Sequence, residues 1–273
     1  MEIGYTVWTW LKDSMNDWEG YGSYAKRDFE QSLREISDLG YNVFENFNIL
    51  VKMYEDNPKE FDTLVKKYGL KFVNIYHYLT GDFDADMKLA EKCCKFVKIH
   101  GATMMNIQAP WWSEGGTTQK DVVDITEKLT QMGKLAYDHG VTLCLHPHYG
   151  TTVYLEQEID YVISHIDAKL LSLTMDTAHT TLAGMDPATV FTKYIKRIKY
   201  AHLKDVDPGF SKEEPMTGFR TLGYGIVNFR KTVDALMQNG YDGVLIVEVD
   251  NPPICNYHTA MVSRKYIHDV LRM

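Results

Sequence analysis

Short runs of apolar residues alternate with longer stretches in which apolar positions recur every three or four residues. The switch repeats down the whole chain. The short runs predict strands at 3–8, 42–47, 71–76, 103–108, 142–148, 171–176, 199–204 and 244–249. The longer stretches predict helices near 26–39, 58–68, 84–100, 118–139, 155–166, 187–197, 228–239 and 256–271. Five helical stretches end in a glycine just before the next strand: Gly40, Gly69, Gly101, Gly140 and Gly240. Glycine reaches the left-handed conformation that closes a helix at its C-terminus. Asn57-Pro58 and Asp186-Pro187 mark helix starts, a cap residue followed by proline in the first turn.

Strands that alternate with helices imply parallel strands joined by right-handed crossovers. Eight such units predict an α/β fold, a single (β/α)8 TIM barrel spanning 1–273 as one domain. A doubly wound open sheet is the competing topology. It would carry a glycine-rich phosphate turn after the first strand, and none follows Trp8. The longest irregular stretch, 205–225, holds Pro208, Gly209, Pro215, Gly218, Gly223 and Gly225. In a barrel it would lie over the active-site face, as a substrate lid or as a plain surface loop.

Composition narrows the function. The chain has 273 residues, 45% hydrophobic and 24% charged, as expected for a soluble globular protein with a real core. Its net charge of −8 opposes nucleic-acid binding. The densest basic run, Lys193, Lys196, Arg197 and Lys199, reads as the solvated end of a helix. No basic leader, apolar leader or membrane-length apolar run appears. Cys93, Cys94, Cys144 and Cys255 show no CxxC spacing, so reduced thiols and a cytoplasmic location are expected.

In a barrel, alternate strand residues face the interior, and functional groups gather at the C-terminal strand ends. On strand five the apolar Val141, Leu143 and Leu145 set Thr142, Cys144, His146 and His148 on the interior face. The same parity points Asp176 inward on strand six, His202 and Lys204 on strand seven, and Glu248 on strand eight. One such residue is often a helix cap or a satisfied core group. Four consecutive strands ending in His, Asp, His and Glu in register are hard to explain that way. Two carboxylates facing one another would repel, and a divalent cation removes the conflict. The predicted metal ligands are therefore His146, Asp176, His202 and Glu248, with His148 in competition for the first place.

These residues also resemble a family. The segments Leu143-Cys-Leu-His-Pro-His-Tyr-Gly-Thr151, Met175-Asp-Thr-Ala-His179 with Ala183-Gly184, Tyr200-Ala-His-Leu-Lys-Asp205 and Val247-Glu248 are similar to the xylose-isomerase-like sugar isomerase/epimerase superfamily. Within it they most resemble the inosose dehydratases. The resemblance runs from about residue 140 to 253 and is weaker before that, where Gly40-Tyr41 through Glu45 resembles the family's second strand. It implies one divalent metal held by strands five to eight. Asp176, His202 and Glu248 match the last three ligands, and His146 stands where many epimerases have a glutamate. Two imidazoles with two carboxylates favour manganese, with cobalt, iron or zinc as alternatives, over magnesium or calcium.

The expected chemistry begins with removal of a proton next to the ketone of a keto-sugar or keto-polyol, with stabilisation of the enediolate. Glu248, His148 and His146 are the catalytic candidates. The histidine-rich strand five favours β-elimination of water or of an aglycone over epimerisation. The resemblance extends to keto-glycoside lyases and C-glycoside deglycosidases, and allows a homo-oligomer or a small partner subunit.

Substrate-contact candidates are His179, Lys204, Glu45 and Trp112, each with a structural alternative. His179 could serve the fold, Lys204 could pair with Asp205, and Glu45 could belong to a buried ion pair. Trp112, with Trp111, could wall the sugar or anchor a loop, and Trp8 and Trp10 share that choice. Arg220 is a further candidate contact. An AP endonuclease would need more histidines from early strands. His77 is one, but strand four offers Asn106 and Gln108 instead, and the charge is wrong. A sugar-binding barrel without catalysis is the last alternative.

Overall fold

The computed structural model describes every residue except 18, 20, 21, 113, 114, 208 and 210–216. Eight strands close into a parallel barrel: β1 (Glu2–Thr6), β2 (Val43–Phe47), β3 (Lys71–Tyr78), β4 (Met104–Gln108), β5 (Thr142–Leu145), β6 (Ser172–Asp176), β7 (Ile198–Leu203) and β10 (Val244–Val247). Each pairs with its sequence neighbour among these eight, and β1 meets β10 with Glu2 opposite Val244 and Tyr5 opposite Val247. Two further strands, β8 (Asp205–Val206) and β9 (Phe219–Arg220), form a short antiparallel ribbon inside the long irregular stretch.

The helices bury one stripe each against the outside of the barrel. Helix Ala25–Asp38 buries Phe29, Ser32, Leu33 and Ile36, at the spacing of one helical face. Helix Gln119–Asp138 starts with a capping box in which the Thr118 side chain and Asp121 exchange bonds. The five helix-closing glycines all have positive φ, from 63° at Gly69 to 78° at Gly40. Among the described residues no helix is long and apolar enough to cross a membrane. All four cysteines are free.

The barrel interior is apolar at its N-terminal end, where Val43, Val73, Tyr200, Val244 and Ile246 form their own cluster. Gly4 has no side chain because there is no room for one. A Cβ there would sit 2.5 Å from the Val43 carbonyl oxygen, with Ile246 against it as well.

Several boundaries differ from the sequence pattern, two of them near the site. The first strand stops at Thr6, and Trp8–Leu11 coil into a 3-10 turn that leads into helix Lys12–Asn16. Strand five stops at Leu145, because Pro147 has no N–H to continue the ladder. His148 therefore stands on the loop after the strand. Short helices Ile49–Tyr54 and Thr177–Leu182 follow β2 and β6, outside the eight predicted helical stretches.

Candidate metal centre and active site

A polar layer lies above the apolar floor of the barrel. Glu45 of β2 accepts hydrogen bonds from Asn74 Nδ2 at 2.8 Å and Asn106 Nδ2 at 3.2 Å, both on Oε2. The Thr174 hydroxyl donates to Asn106 Oδ1. The other oxygen of Glu45 lies 2.8 Å from His202 Nε2. That contact holds Nε2 against Glu45 and leaves Nδ1 as the ring atom that faces the mouth. Nδ1 sits 3.0 Å from Glu248 Oε2 and 3.8 Å from Asp176 Oδ2.

His146 is oriented by the same device. The Tyr76 hydroxyl donates to Gln108 Oε1 at 2.7 Å and lies 2.8 Å from His146 Nδ1. A hydroxyl that gives its one proton to Gln108 accepts from His146, so Nδ1 carries the proton and Nε2 presents a lone pair. That Nε2 lies 3.9 Å from Asp176 Oδ2. Asp176 Oδ1 is occupied in capping helix Thr177–Leu182, accepting from His179 N at 2.8 Å. Four buried atoms, His146 Nε2, Asp176 Oδ2, His202 Nδ1 and Glu248 Oε2, thus converge without a well-formed hydrogen bond among the described residues. Two overlapping groups, His146–Asp176–His179 and Asp176–His202–Glu248, each bring their ligand atoms within 4.8 Å of one another.

Burial dominates the titration of this cluster. It pushes the Asp176 carboxyl above its ordinary value, against the pull of Lys204 and His202. It also presses His146 and His179 well below the imidazole range, helped by their cationic and imidazole neighbours. His148 is lowered to about 3 for the same reason, with His146 and Lys204 adding to the effect. Burial opposes charge on His202 and Glu248 too. For His202, Glu45 and Glu248 outweigh it and hold the ring well above the usual range. For Glu248, Lys204 and His202 outweigh it and hold the carboxyl well below. Burial is thus the largest influence on every group here, and only His202 and Glu248, which face one another, are held charged against it.

A cavity of about 300 Å³ opens over the cluster. Its polar side is made by Gln108, His148, Lys204, Glu248 and Asp250, and its apolar wall by Trp8, Phe47, Tyr76, Tyr78 and Trp111. Lys204 is buried, with Nζ 2.8 Å from Asp250 Oδ2 and 3.5 Å from Glu248 Oε2. The Phe219 ring from the ribbon covers it at 4.2 Å. Burial raises Asp250 to about 6, with Lys204 opposing and Glu248 adding to the rise.

Comparison with known proteins shows the family and agrees with the fold. The xylose isomerase-like TIM barrel family matches residues 33–266. The chain belongs to that family. It is 28% identical to the inosose dehydratase of Lacticaseibacillus casei, over 98% of this chain and 96% of that protein. Among solved structures it superposes on the IolI protein, which carries a bound zinc atom, with TM-score 0.78 and 16% identity, covering 99% of this chain and 98% of the other. It also superposes on a D-allulose 3-epimerase from Methylomonas sp. with TM-score 0.77 and 16% identity, covering 98% and 96%. The proteins it resembles are thus named as a dehydratase and an epimerase.

In this xylose isomerase-like barrel the expected residues do not all stand where the strand pattern put them. His146, Asp176, His202 and Glu248 are brought together, and His148 and Lys204 line the cavity. His179 packs on His148 with ring centroids 3.8 Å apart, and Phe219 covers its other side. Glu45 is not a cavity residue. It is fully engaged beneath His202, so the buried-pair alternative describes it. Lys204 pairs with Asp250 rather than Asp205, whose carboxylate instead accepts backbone N–H groups from Val206, Gly223, Gly225 and Val227. Trp112 lies outside the cavity, packed edge-on against Tyr149 and Tyr154. Its neighbour Trp111 is the one that reaches the wall.

Trp10 is an anchor whose Nε1 donates to Glu35. Arg220 is spent on Asp207 at 2.7 Å and on the Thr217 and Phe219 carbonyls. His77 points to the helix layer, held by Asn48 and the Asp86 carbonyl, which removes the early-strand ligand an endonuclease would need. The basic run is likewise engaged, Lys193 with Glu156 and Asp160, and Arg197 with three backbone carbonyls. The expected lid at 205–225 is anchored by the ribbon and the Asp205 turn, while 208 and 210–216 lie outside the described residues. The sequence reading missed Asp250 and Tyr76. Asp250 follows Glu248 by two residues and was legible by the same parity. Tyr76 was visible as an interior residue of strand three, but its role depends on a partner 70 residues away.

Proposed function

We propose that the chain is a divalent-metal-dependent lyase that takes a proton from the carbon next to the ketone of a keto-polyol or keto-sugar and expels water or an aglycone from the β-carbon. The observation that carries this reading is the convergence of buried nitrogen and oxygen atoms of His146, Asp176, His202 and Glu248 beneath a cavity lined by further acid/base groups.

These four residues would hold the ion. Their mixed nitrogen and oxygen set suits manganese first, with zinc, cobalt or iron as alternatives, and the zinc in the IolI structure supports a site of this kind. Bound there, the ion would act as a Lewis acid on the substrate's ketone and neighbouring hydroxyl. The chain's own residues do the rest. Glu45 and Tyr76 fix the rings of His202 and His146 from behind, as outer partners of ligands commonly do. Lys204, kept cationic by Asp250 and Glu248, faces the developing negative charge on substrate oxygen. The aromatic wall of Trp8, Phe47, Tyr78 and Trp111 gives a sugar or polyol ring a face to lie on and excludes water. Proton transfer falls to the groups that reach the cavity, His148 and Glu248 among them.

Elimination is favoured over epimerisation by the identity of residue 146. A two-carboxylate epimerase needs an acid on strand five opposite the one on strand eight, and His146 occupies that place. The 28% identity to an inosose dehydratase supports the same choice and makes inosose the first substrate to try.

Asp176→Ala and His202→Ala should each lower metal affinity and turnover by at least about a hundredfold, more than loss of an outer partner typically costs, while circular dichroism stays native. Full activity after exhaustive chelation would overturn the proposal.

A further inference from the structure

His148 lines the cavity, His179 packs tilted against it with Nε2 buried behind, and one peptide unit touches both. The Tyr149 carbonyl oxygen lies 2.7 Å from His148 Nδ1. The Tyr149 N–H donates to His179 Nδ1 at 3.4 Å. A carbonyl oxygen can only accept, so His148 carries its proton on Nδ1 and offers a lone pair on Nε2. A backbone N–H can only donate, so His179 accepts on Nδ1 and carries its proton on Nε2. We propose that the Tyr149 peptide fixes the two histidines in opposite tautomers, which makes His148 Nε2 the proton acceptor and His179 Nε2–H a hydrogen-bond donor to substrate oxygen.

The assignment rests on the lyase reading for its chemistry, but its geometry stands alone. It also decides between two uses of His179. The ring belongs to one of the two groups whose ligand atoms converge, with His146 and Asp176. A ligand must present a lone pair, and the Nε2 of His179 presents a proton. Its Nε2 is buried and has no partner among the described residues, as expected of a donor waiting for an incoming oxygen. A neutral imidazole that donates to a developing oxyanion is an established catalytic arrangement.

The step then balances. The α-proton passes to His148 Nε2, and the C–H electron pair moves toward the carbonyl, whose oxygen accepts from His179 Nε2–H. When the electron pair returns, the β-substituent leaves with its bonding pair. If it is hydroxide, the proton held by His148 completes a water molecule and the histidine is neutral again.

The direct test is a long-range proton–nitrogen correlation spectrum of the zinc-loaded, 15N-histidine-labelled protein, with signals assigned through His148→Gln and His179→Gln. The expected result is the Nδ1–H pattern for His148 and the Nε2–H pattern for His179. A His179 signal in the Nδ1–H form, or shifted as a metal-bound nitrogen, would overturn the proposal, whatever substrate the enzyme takes. Zinc titration gives a second readout. His179→Gln and His179→Ala should bind zinc within about threefold of the wild type, and a hundredfold loss would make His179 a ligand. With a ketone that turns over, His179→Gln, which keeps a donor near the Nε2 position, should retain more kcat than His179→Ala. His148→Gln and His148→Ala should be equally poor. If no ketone turns over, the lyase reading fails while the tautomer result still stands.

Discussion

At the scale of single residues, the site is a set of side chains each aimed by another. Glu45 shows this best. It is buried, accepts from two asparagines and holds His202 Nε2. Glu45→Gln keeps the shape but weakens that hold, so metal affinity should fall about 10–100-fold, measured by competition with a chelating dye. Unchanged affinity would mean that His202 is oriented by other contacts. His148 gives a pH prediction. Its folded value of about 3 lies below the ~6.5 of an unfolded histidine. The unfolded chain therefore binds this proton first, and stability is intact above ~6.5 and lost as pH falls toward the folded value. At pH 5 the cost is about 2 kcal/mol. His148→Gln has no such proton, so between pH 7 and 5 it should lose about 2 kcal/mol less than the wild type in denaturant titrations. Equal losses would contradict the burial that sets the shift.

At this scale the clustering of His146, Asp176, His202 and Glu248 was legible because strand parity is strict: one residue in two faces the interior, and all four fell on that side. What parity could not show was reach. It put Glu45 in the right direction but could not tell that His202 would lie over it. It also gave no way to choose Trp111 over Trp112, since both stand on a loop.

At the scale of elements, the barrel is limited by how closely its strands approach. Gly4 is the clearest case, with the Val43 carbonyl and Ile246 where a Cβ would go. Gly4→Ala should destabilise the protein by about 1–3 kcal/mol through overpacking, seen as a lower denaturant midpoint with an unchanged slope. A neutral effect would show that β1 can shift outward. The helix-closing glycines were readable because a positive φ selects glycine over other residues, and all five have it. The end of strand five was not read correctly, though Pro147 was there to be weighed. The alternation of Cys144, His146 and His148 continues past the last ladder bond, and alternation says nothing of hydrogen bonds. That early stop matters to the site. It frees the Tyr149 peptide to face inward, where it meets both His148 and His179.

At the scale of the whole molecule, the fold followed from the repeat of strand and helix periods, which leaves few topologies for eight units. Reaction type is a finer property. A named dehydratase and a named epimerase both resemble this chain over nearly its whole length, so architecture alone does not separate them. Under the proposed function the separation lies in His146 and in the pairing of His148 with His179. The most direct test is proton NMR in D2O of the manganese-loaded enzyme at catalytic concentration, incubated with inosose, a free ketohexose and a 3-keto-glycoside. The account predicts loss of an α-proton signal together with release of a β-substituent from at least one of them. Deuterium incorporation with only inversion or carbonyl migration, and no group released from any substrate, would make the enzyme an epimerase or isomerase and contradict the assignment.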